Sequence, residues 1–247
     1  MSSRAQAEIR RIMAALTNAI VEHRLPPGAR LTESKLVEAL GANRNHVRAA
    51  LQKLSAESKV VDLIPNRGAF VAMPSAEEAR QVFSARLVLE RAIVDLVINN
   101  LNAVNRGRLK KQIEREREAI ASHDRQQMIR ESGNFHRVLG QVSGNRVLAE
   151  LNETLIVRSS LIIALYQETP TVRCSLGEHE SVMQALLAED CDTALRLMAA
   201  HMEDIQKHLL LDRKDHRVDL KAALAERGQA PWEGSQPISN RCGSSVQ

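Results

Sequence analysis

The sequence predicts a mainly α protein in two parts: a small N-terminal module with a short β ribbon, and a C-terminal all-helical bundle. Three observations carry that prediction. Apolar residues recur at helical spacing through most of the 247 residues. The two strand-like runs, Val60–Leu63 and Ala69–Val71, both fall before residue 74, and no strand candidate of any strength follows them. The chain has one Trp, one Tyr and three Phe and is dominated by Leu, Ala, Arg and Glu, which suits an aliphatic, helical core.

Taken in order, Ile9, Ile12, Met13, Leu16 and Ile20 place a first helix from Arg4 to His23. Pro26-Pro27-Gly28 ends it, because neither residue type continues a helix cheaply. Thr32-Glu33 opens a second helix that runs to Leu40, with Leu36 and Leu40 turned inward and Gly41 as the C-cap. Asn43 caps a third helix, from Arg44 to about Ser58, whose apolar face is Val47, Ala50, Leu51 and Leu54. Its other face presents Arg44, Asn45, Arg48 and Gln52, the side-chain types that bond to phosphates and base edges. Two strands follow, joined by Pro65-Asn66-Arg67-Gly68, a wing tip from which Arg67 can enter a minor groove. Taken alone, the third helix is equally an amphipathic helix with a solvated charged face. The whole order of helix, Gly turn, Arg-bearing helix and Gly-tipped ribbon is that of a winged helix-turn-helix, which sets one helix in the DNA major groove.

Charge is distributed to match. Residues 1–74 carry 11 Lys/Arg against 6 Asp/Glu, and the remainder 23 against 24, so the positive excess lies where phosphates would use it. Cys174, Cys191 and Cys242 form no CxxC and suit reduced thiols better than a disulfide framework. No apolar run approaches a membrane span and the N-terminus lacks a signal-peptide pattern, so a cytoplasmic protein is expected.

From Ser75 onward six helical segments are predicted, at 75–101, 105–122, 124–141, 146–167, 171–188 and 190–212, with breaks at Asn102, Ser122-His123, Ser143-Gly144-Asn145, Pro170 and Glu189-Asp190. Short connections between them imply an antiparallel six-helix bundle. Residues from about Lys214 lack periodicity and read as a flexible tail. The expected division is therefore 1–74, 75–213 and 214–247.

His136, His179 and His201 fall on inward faces of three separate helices. Each alone is what a hydrogen-bonded core histidine looks like. Three neutral imidazoles converging in one bundle core make a site for a borderline ion such as zinc or nickel. Arg86 stands one helical turn before Glu90 and reads as a salt bridge to it.

The stretch PPGARLTESKLVEALGANRNHVRAALQKLSAESKV…NRGAFV resembles the GntR family of bacterial transcription factors, whose usual form is P-G-x-x-L-x-E-x-x-L-A, S-R-x-P-V-R-E-A-L-x-x-L and N-R-G-x-x-V. Asn43, His46 and Ala49 depart from that form. The resemblance implies that Arg44 and Arg48 read guanines, that Arg30 contacts a phosphate and that Gly68 shapes the wing. Arg86-Leu87-Val88-Leu89-Glu90, Phe135-His136, Ser143-Gly144-Asn145, Glu178-His179, Asp190 with Ala194, and His201 extend it to the effector domain of the FadR subfamily, in its VanR-type branch. There a divalent metal is held by three His and an Asp one helical turn before the first of them. Here that Asp position is Ser132, and Glu131 projects about 100° away on the helix. The site therefore either holds its ion through the three histidines with water or effector completing the shell, or has lost the metal and leaves the imidazoles and Arg86 to hold an anionic effector directly. The resemblance further implies a homodimer on a palindromic DNA operator, most often a repressor, released by a small carboxylate held near Arg86 and the histidines. Two other functions are open on the histidines: a metal-responsive regulator and a metal-dependent enzyme. Against the enzyme, no inward carboxylate is evident as a general base, and a DNA reader would be an odd appendage.

Overall fold

The computed structural model describes residues 3–167 and 172–211; the expected tail and the break at Pro170 lie outside them. In chain order the elements are α1 (Ser3–Val21), β1 (Arg30–Leu31), α2 (Glu33–Leu40), α3 (Arg44–Lys53), β2 (Val61–Ile64), β3 (Gly68–Val71), α4 (Ala76–Asn99), α5 (Ala103–Ala121), α6 (Arg125–Val142), α7 (Arg146–Tyr166), α8 (Val172–Leu187) and α9 (Cys191–Lys207). The fold is mainly α, with a small sheet in the N-terminal part and six helices after it.

Local chemistry fixes the reader's turns. Gly41 takes the left-handed conformation that ends α2, and its N–H bonds back to Glu38 and Val37. Asn43 accepts from the Asn45 N–H at 2.8 Å and so caps α3. At the wing, Arg67 N donates to Ile64 O at 3.0 Å, with Pro65 second and Asn66 (φ 60°) third, the residue order a type II turn requires.

Two expectations are corrected here. The ribbon is a three-stranded antiparallel sheet in the order β1-β3-β2, with Arg30 opposite Phe70 and Val61 opposite Val71. The Pro26–Gly28 turn brings the chain back along β3, where Gly28 N donates to Val71 O at 2.9 Å and Val71 N donates to Ala29 O at 2.8 Å. A two-residue strand is too short to show a period of two in sequence. The third helix is also not uniform: after Lys53 it widens to a π turn over Leu54–Ser58, closed by Lys59 at φ 57°.

In the helical part every described break pairs a cap with a turn. Ser75, Asn102, Asp124, Asn145 and Asp190 each accept a backbone N–H at the start of the next helix. His123, Gly144 and Glu189 supply the positive φ before three of them. Short loops make α5–α6, α6–α7 and α8–α9 adjacent hairpins, and α4 packs against α7 and α9. The last helix ends at Lys207, earlier than the expected 212, where His208 N bonds back to Asp204 O and Ile205 O.

Two buried apolar clusters result. One fills the bundle, around Phe83, Ile93, Ile113, Phe135, Leu139 and Leu186. The other lies under the reader, around Ile12, Ile20, Val47, Leu51 and Val60, and also takes in Val157 and Leu161 of α7. Helix α7 is thus shared by both cores. No helix among the described residues is long and apolar enough to cross a membrane.

Candidate functional site

The three histidines meet in the bundle interior, each from its own helix: His136 from α6, His179 from α8 and His201 from α9. All three are buried. His201 Nε2 lies 3.2 Å from His179 Nε2 and 3.3 Å from His136 Nε2. Behind each ring stands a carboxylate. His179 Nδ1 is 2.8 Å from Glu116 Oε2, and His201 Nδ1 is 2.6 Å from Glu178 Oε2. His136 Nδ1 is 2.9 Å from Glu90 Oε1, an ion-pair contact whose angle falls outside a hydrogen bond. Phe135 stacks on His179 with ring centroids 4.0 Å apart and fixes that ring's tilt.

This arrangement decides what the site can do. A carboxylate at Nδ1 favours the proton there and leaves the Nε2 lone pair facing inward. Three lone pairs converging without a cation repel one another, whereas a cation among them is held. Zinc–imidazole bonds of 2.0–2.1 Å put neighbouring nitrogens of a tetrahedral shell roughly 3.3–3.4 Å apart, and the two Nε2 separations fit that edge. Burial pushes His136 down to about 4 and His179 well below the ordinary imidazole value, so both rings are neutral at neutral pH, as ligation requires. Burial also pushes the Glu116 carboxyl up to about 9, so without an ion it is a neutral acid that donates to His179 Nδ1. A dication at the Nε2 cluster would oppose that shift and return the proton to Nδ1.

The bundle interior does hold inward carboxylates, though none is placed as a general base. Glu90 and Glu116 are buried and Glu178 is partly so, but each sits behind an imidazole rather than free as a base. Glu116 lies at helical spacing from Leu109, Ile113 and Ile120, and that inward position among charged neighbours is the signal that could have found it.

Arg86 satisfies its salt-bridge reading and is not consumed by it. Its Nη2 donates to Glu90 Oε1 at 3.0 Å and its Nη1 to Ser159 Oγ at 2.9 Å, while buried Nε has no hydrogen-bond partner among the described residues. Burial alone would raise Glu90, but His136 and the Arg86 guanidinium reverse that and hold it at about 2. Arg86, Ser132 and His136 all line one cavity of about 130 Å³, with Arg125, Ser159, Ser160 and the apolar Ile129, Ile156 and Ile163. Glu131 points elsewhere, taking Asn134 Nδ2 at 3.1 Å and lying beside Gln112. The Ser159-Ser160 pair and His23, which also line the cavity, are absent from the sequence reading; two adjacent serines in the apolar run of α7 are the signal that could have found them.

In the reader, Arg30, Arg44, Arg48 and Gly68 surround one groove between α3 and the wing. Glu33 joins two of them: Arg48 donates to it through Nε and Nη2, both at 3.0 Å, and Arg44 through Nε at 3.1 Å. Those hydrogen bonds, Arg48's first, hold the Glu33 carboxyl below its usual range. Asn45 is exposed at the start of α3. The Arg67 guanidinium lies over the Phe70 ring, 5.7 Å from its centroid.

A helical reader with a β wing, arginines along one groove and a helical partner holding a polar cavity defines a DNA-binding regulator with its own sensor. Comparison with known proteins agrees. Residues 8–71 match the bacterial regulatory proteins of the gntR family and residues 81–204 match the FCD domain. The chain is 26% identical to the HTH-type transcriptional regulator YdhC of Bacillus subtilis over 188 residues, covering 74% of this chain and 82% of that protein. It is 23% identical to the HTH-type transcriptional repressor RspR of Escherichia coli over 198 residues, 80% of this chain and 86% of that protein. The structure of E. coli McbR/YncC superposes with a TM-score of 0.74 at 23% identity, covering 84% of this chain and 97% of that one, and so shares the fold. The chain belongs to the GntR family, in the FadR subfamily with its FCD domain, and is a DNA-binding transcription regulator. These relatives are transcription regulators, not enzymes.

Proposed function

We propose that the chain is a homodimeric repressor, of the VanR-type branch, that leaves a palindromic operator when a small carboxylate-type metabolite binds in its helical part. Residues 1–74 read DNA and residues 75–213 bind the effector and hold the dimer. Arg44 and Arg48 read guanine edges, Arg30 takes a phosphate, and Asn45, Arg67 and Gly68 serve the flanking contacts. His136, His179 and His201 would hold one divalent ion, zinc or nickel, through their Nε2 atoms, supplying an electrophilic position for an effector oxygen. With Ser132 at the fourth position, that oxygen or water completes the shell. Arg86 anchors the carboxylate, and the RspR repressor supports the direction of regulation.

The observation that carries this reading is that His136 and Arg86 open on the same cavity. A dimer suits the exposed apolar face where α4 and α7 meet, with Val88 70% and Leu151 52% exposed. Release follows only if the effector binds the two reader arrangements with different affinity.

Elemental analysis and native mass spectrometry of gently purified protein test it. One ion per chain together with a bound small anion is expected, and stripping that anion should tighten operator binding. Metal-free protein that takes up no added zinc overturns the metal assignment. A protein whose operator affinity responds to zinc alone is instead a metal sensor.

A further inference from the structure

The cavity is not closed by the bundle alone. Val21 and His23, from the C-terminal end of the reader's first helix, form part of its wall. Ser160 Oγ donates to Val21 O at 2.9 Å, and His23 Nε2 donates to the Ser160 carbonyl oxygen at 3.1 Å. His23 itself is held at φ 57°, two residues past the end of α1. Next to it, Glu22 accepts from Arg130 of α6 at 3.0 Å. The end of α1 is thus pinned to α6 and α7, the two helices that frame the cavity.

Adjacent serines link the two sides. Ser159 Oγ receives Arg86 Nη1, and Ser160 Oγ holds the Val21 carbonyl. Any occupant that moves α7 at Ser159 also moves Ser160, since one turn of helix cannot shift one residue without its neighbour. An occupant that reaches His23 competes with its bond to Ser160.

We infer that the effector touches the DNA reader directly, through His23, and that it controls DNA binding by loosening the joint of His23 and Val21 with Ser160. This rests on the reading that the cavity is the effector site. His23 is then both a ligand contact and the means of release, and no relay through the rest of the bundle is needed. The occupant's class follows from the walls: a small anion at the Arg86 end, with a hydrogen-bonding group at the His23 end.

The test does not need the natural effector. Ala164, one turn beyond Ser160 on α7, lines the same cavity. Ala164→Cys is made with Cys174, Cys191 and Cys242 changed to Ser, and the thiol is capped by ethyl or benzyl methanethiosulfonate, forming a disulfide and releasing sulfinate. Affinity for a duplex selected from random-sequence DNA is read before and after capping, with His23 and Ser160 intact, in His23→Ala, and in Ser160→Ala. The ratio is taken within each protein, so basal changes cancel. Capping should weaken binding about tenfold or more, within the usual range of coupling between sites, and by less than about twofold in either joint variant. If capping leaves binding unchanged with the joint intact, cavity occupancy does not govern DNA binding and the effector-site reading falls with this one. If capping weakens all three proteins equally, the effector site stands and the His23–Ser160 route is overturned.

Discussion

His201 Nε2 and His179 Nε2 face each other at 3.2 Å while their Nδ1 atoms face Glu178 and Glu116. Both rings are turned by what lies behind them, so the inward lone pairs have nowhere else to go. A site pre-arranged in this way gains stability when a cation fills it and carries repulsion when none does.

The first prediction concerns stability. Zinc at about a thousand times its Kd should stabilise the fold by roughly 4 kcal/mol, raising Tm by about 10 °C for a domain of this size. Thermal unfolding with and without a strong chelator checks it. Identical curves would show that the imidazoles hold no metal.

A second prediction addresses the missing ligand. Ser132 stands one helical turn before His136 and lines the same cavity. Ser132→Asp should raise zinc affinity by at least about tenfold, since a carboxylate is a far better ligand than a hydroxyl. Competition against a chromophoric chelator measures this, and unchanged affinity would mean that residue 132 does not reach the ion.

The third turns on Glu33, which accepts from both Arg44 and Arg48. Arg48→Ala should cost about 1–3 kcal/mol in specific binding. Glu33→Gln removes a negative charge beside DNA, so binding to unrelated duplex should tighten while discrimination narrows. Fluorescence anisotropy on operator and scrambled duplex at fixed salt separates the two. If Glu33→Gln leaves their ratio unchanged, the carboxylate does not orient the arginines.

Much of this was legible because it depends on near neighbours in sequence. Asn43, Gly41 and Pro26–Gly28 act on their own segments, and His136, His179 and His201 fall on inward faces of periodic helices. What was hidden depends on packing between distant segments. Strand β1 exists only because β3 offers it an edge. Glu116 finds its partner only because α8 brings His179 onto α5. Ser160 acquires a partner only where α1 ends, 139 residues away.

A fourth prediction uses pH at the joint. Burial would raise Glu22, but hydrogen bonds from Arg24 and Arg130 outweigh it and hold its carboxyl below the usual carboxylate range. A carboxylate depressed in the folded state contributes stability that is present above its unfolded pKa and lost as pH falls through the folded one. Glu22→Gln should therefore be less stable than wild type at pH 7, by about 1 kcal/mol or less because Arg130 is half exposed. The gap should close as pH falls below about 4.5. Urea unfolding at pH 7 and pH 4 measures it, and a gap that widens in acid would contradict the sign.

The last prediction concerns the face between α4 and α7. Val88 is 70% exposed and Leu151 52%, with Leu89 and Leu155 packed beneath. Large side chains presented together in this way lose contact with water only if a second surface covers them. The palindromic operator proposed above supplies the reason for a second copy, since two α3 helices would meet half-sites about one DNA turn apart. A two-fold contact uses the same patch on both protomers, so one substitution introduces two charges into it. Val88→Glu should therefore split the dimer at micromolar concentration while leaving the protomer folded, because the residue supports neither buried cluster. Operator affinity should fall by at least about tenfold, because a single protomer brings only one reader to the two half-sites. Light scattering coupled to size exclusion reads the first effect and anisotropy the second. A Val88→Glu protein that stays dimeric places the two-fold contact elsewhere.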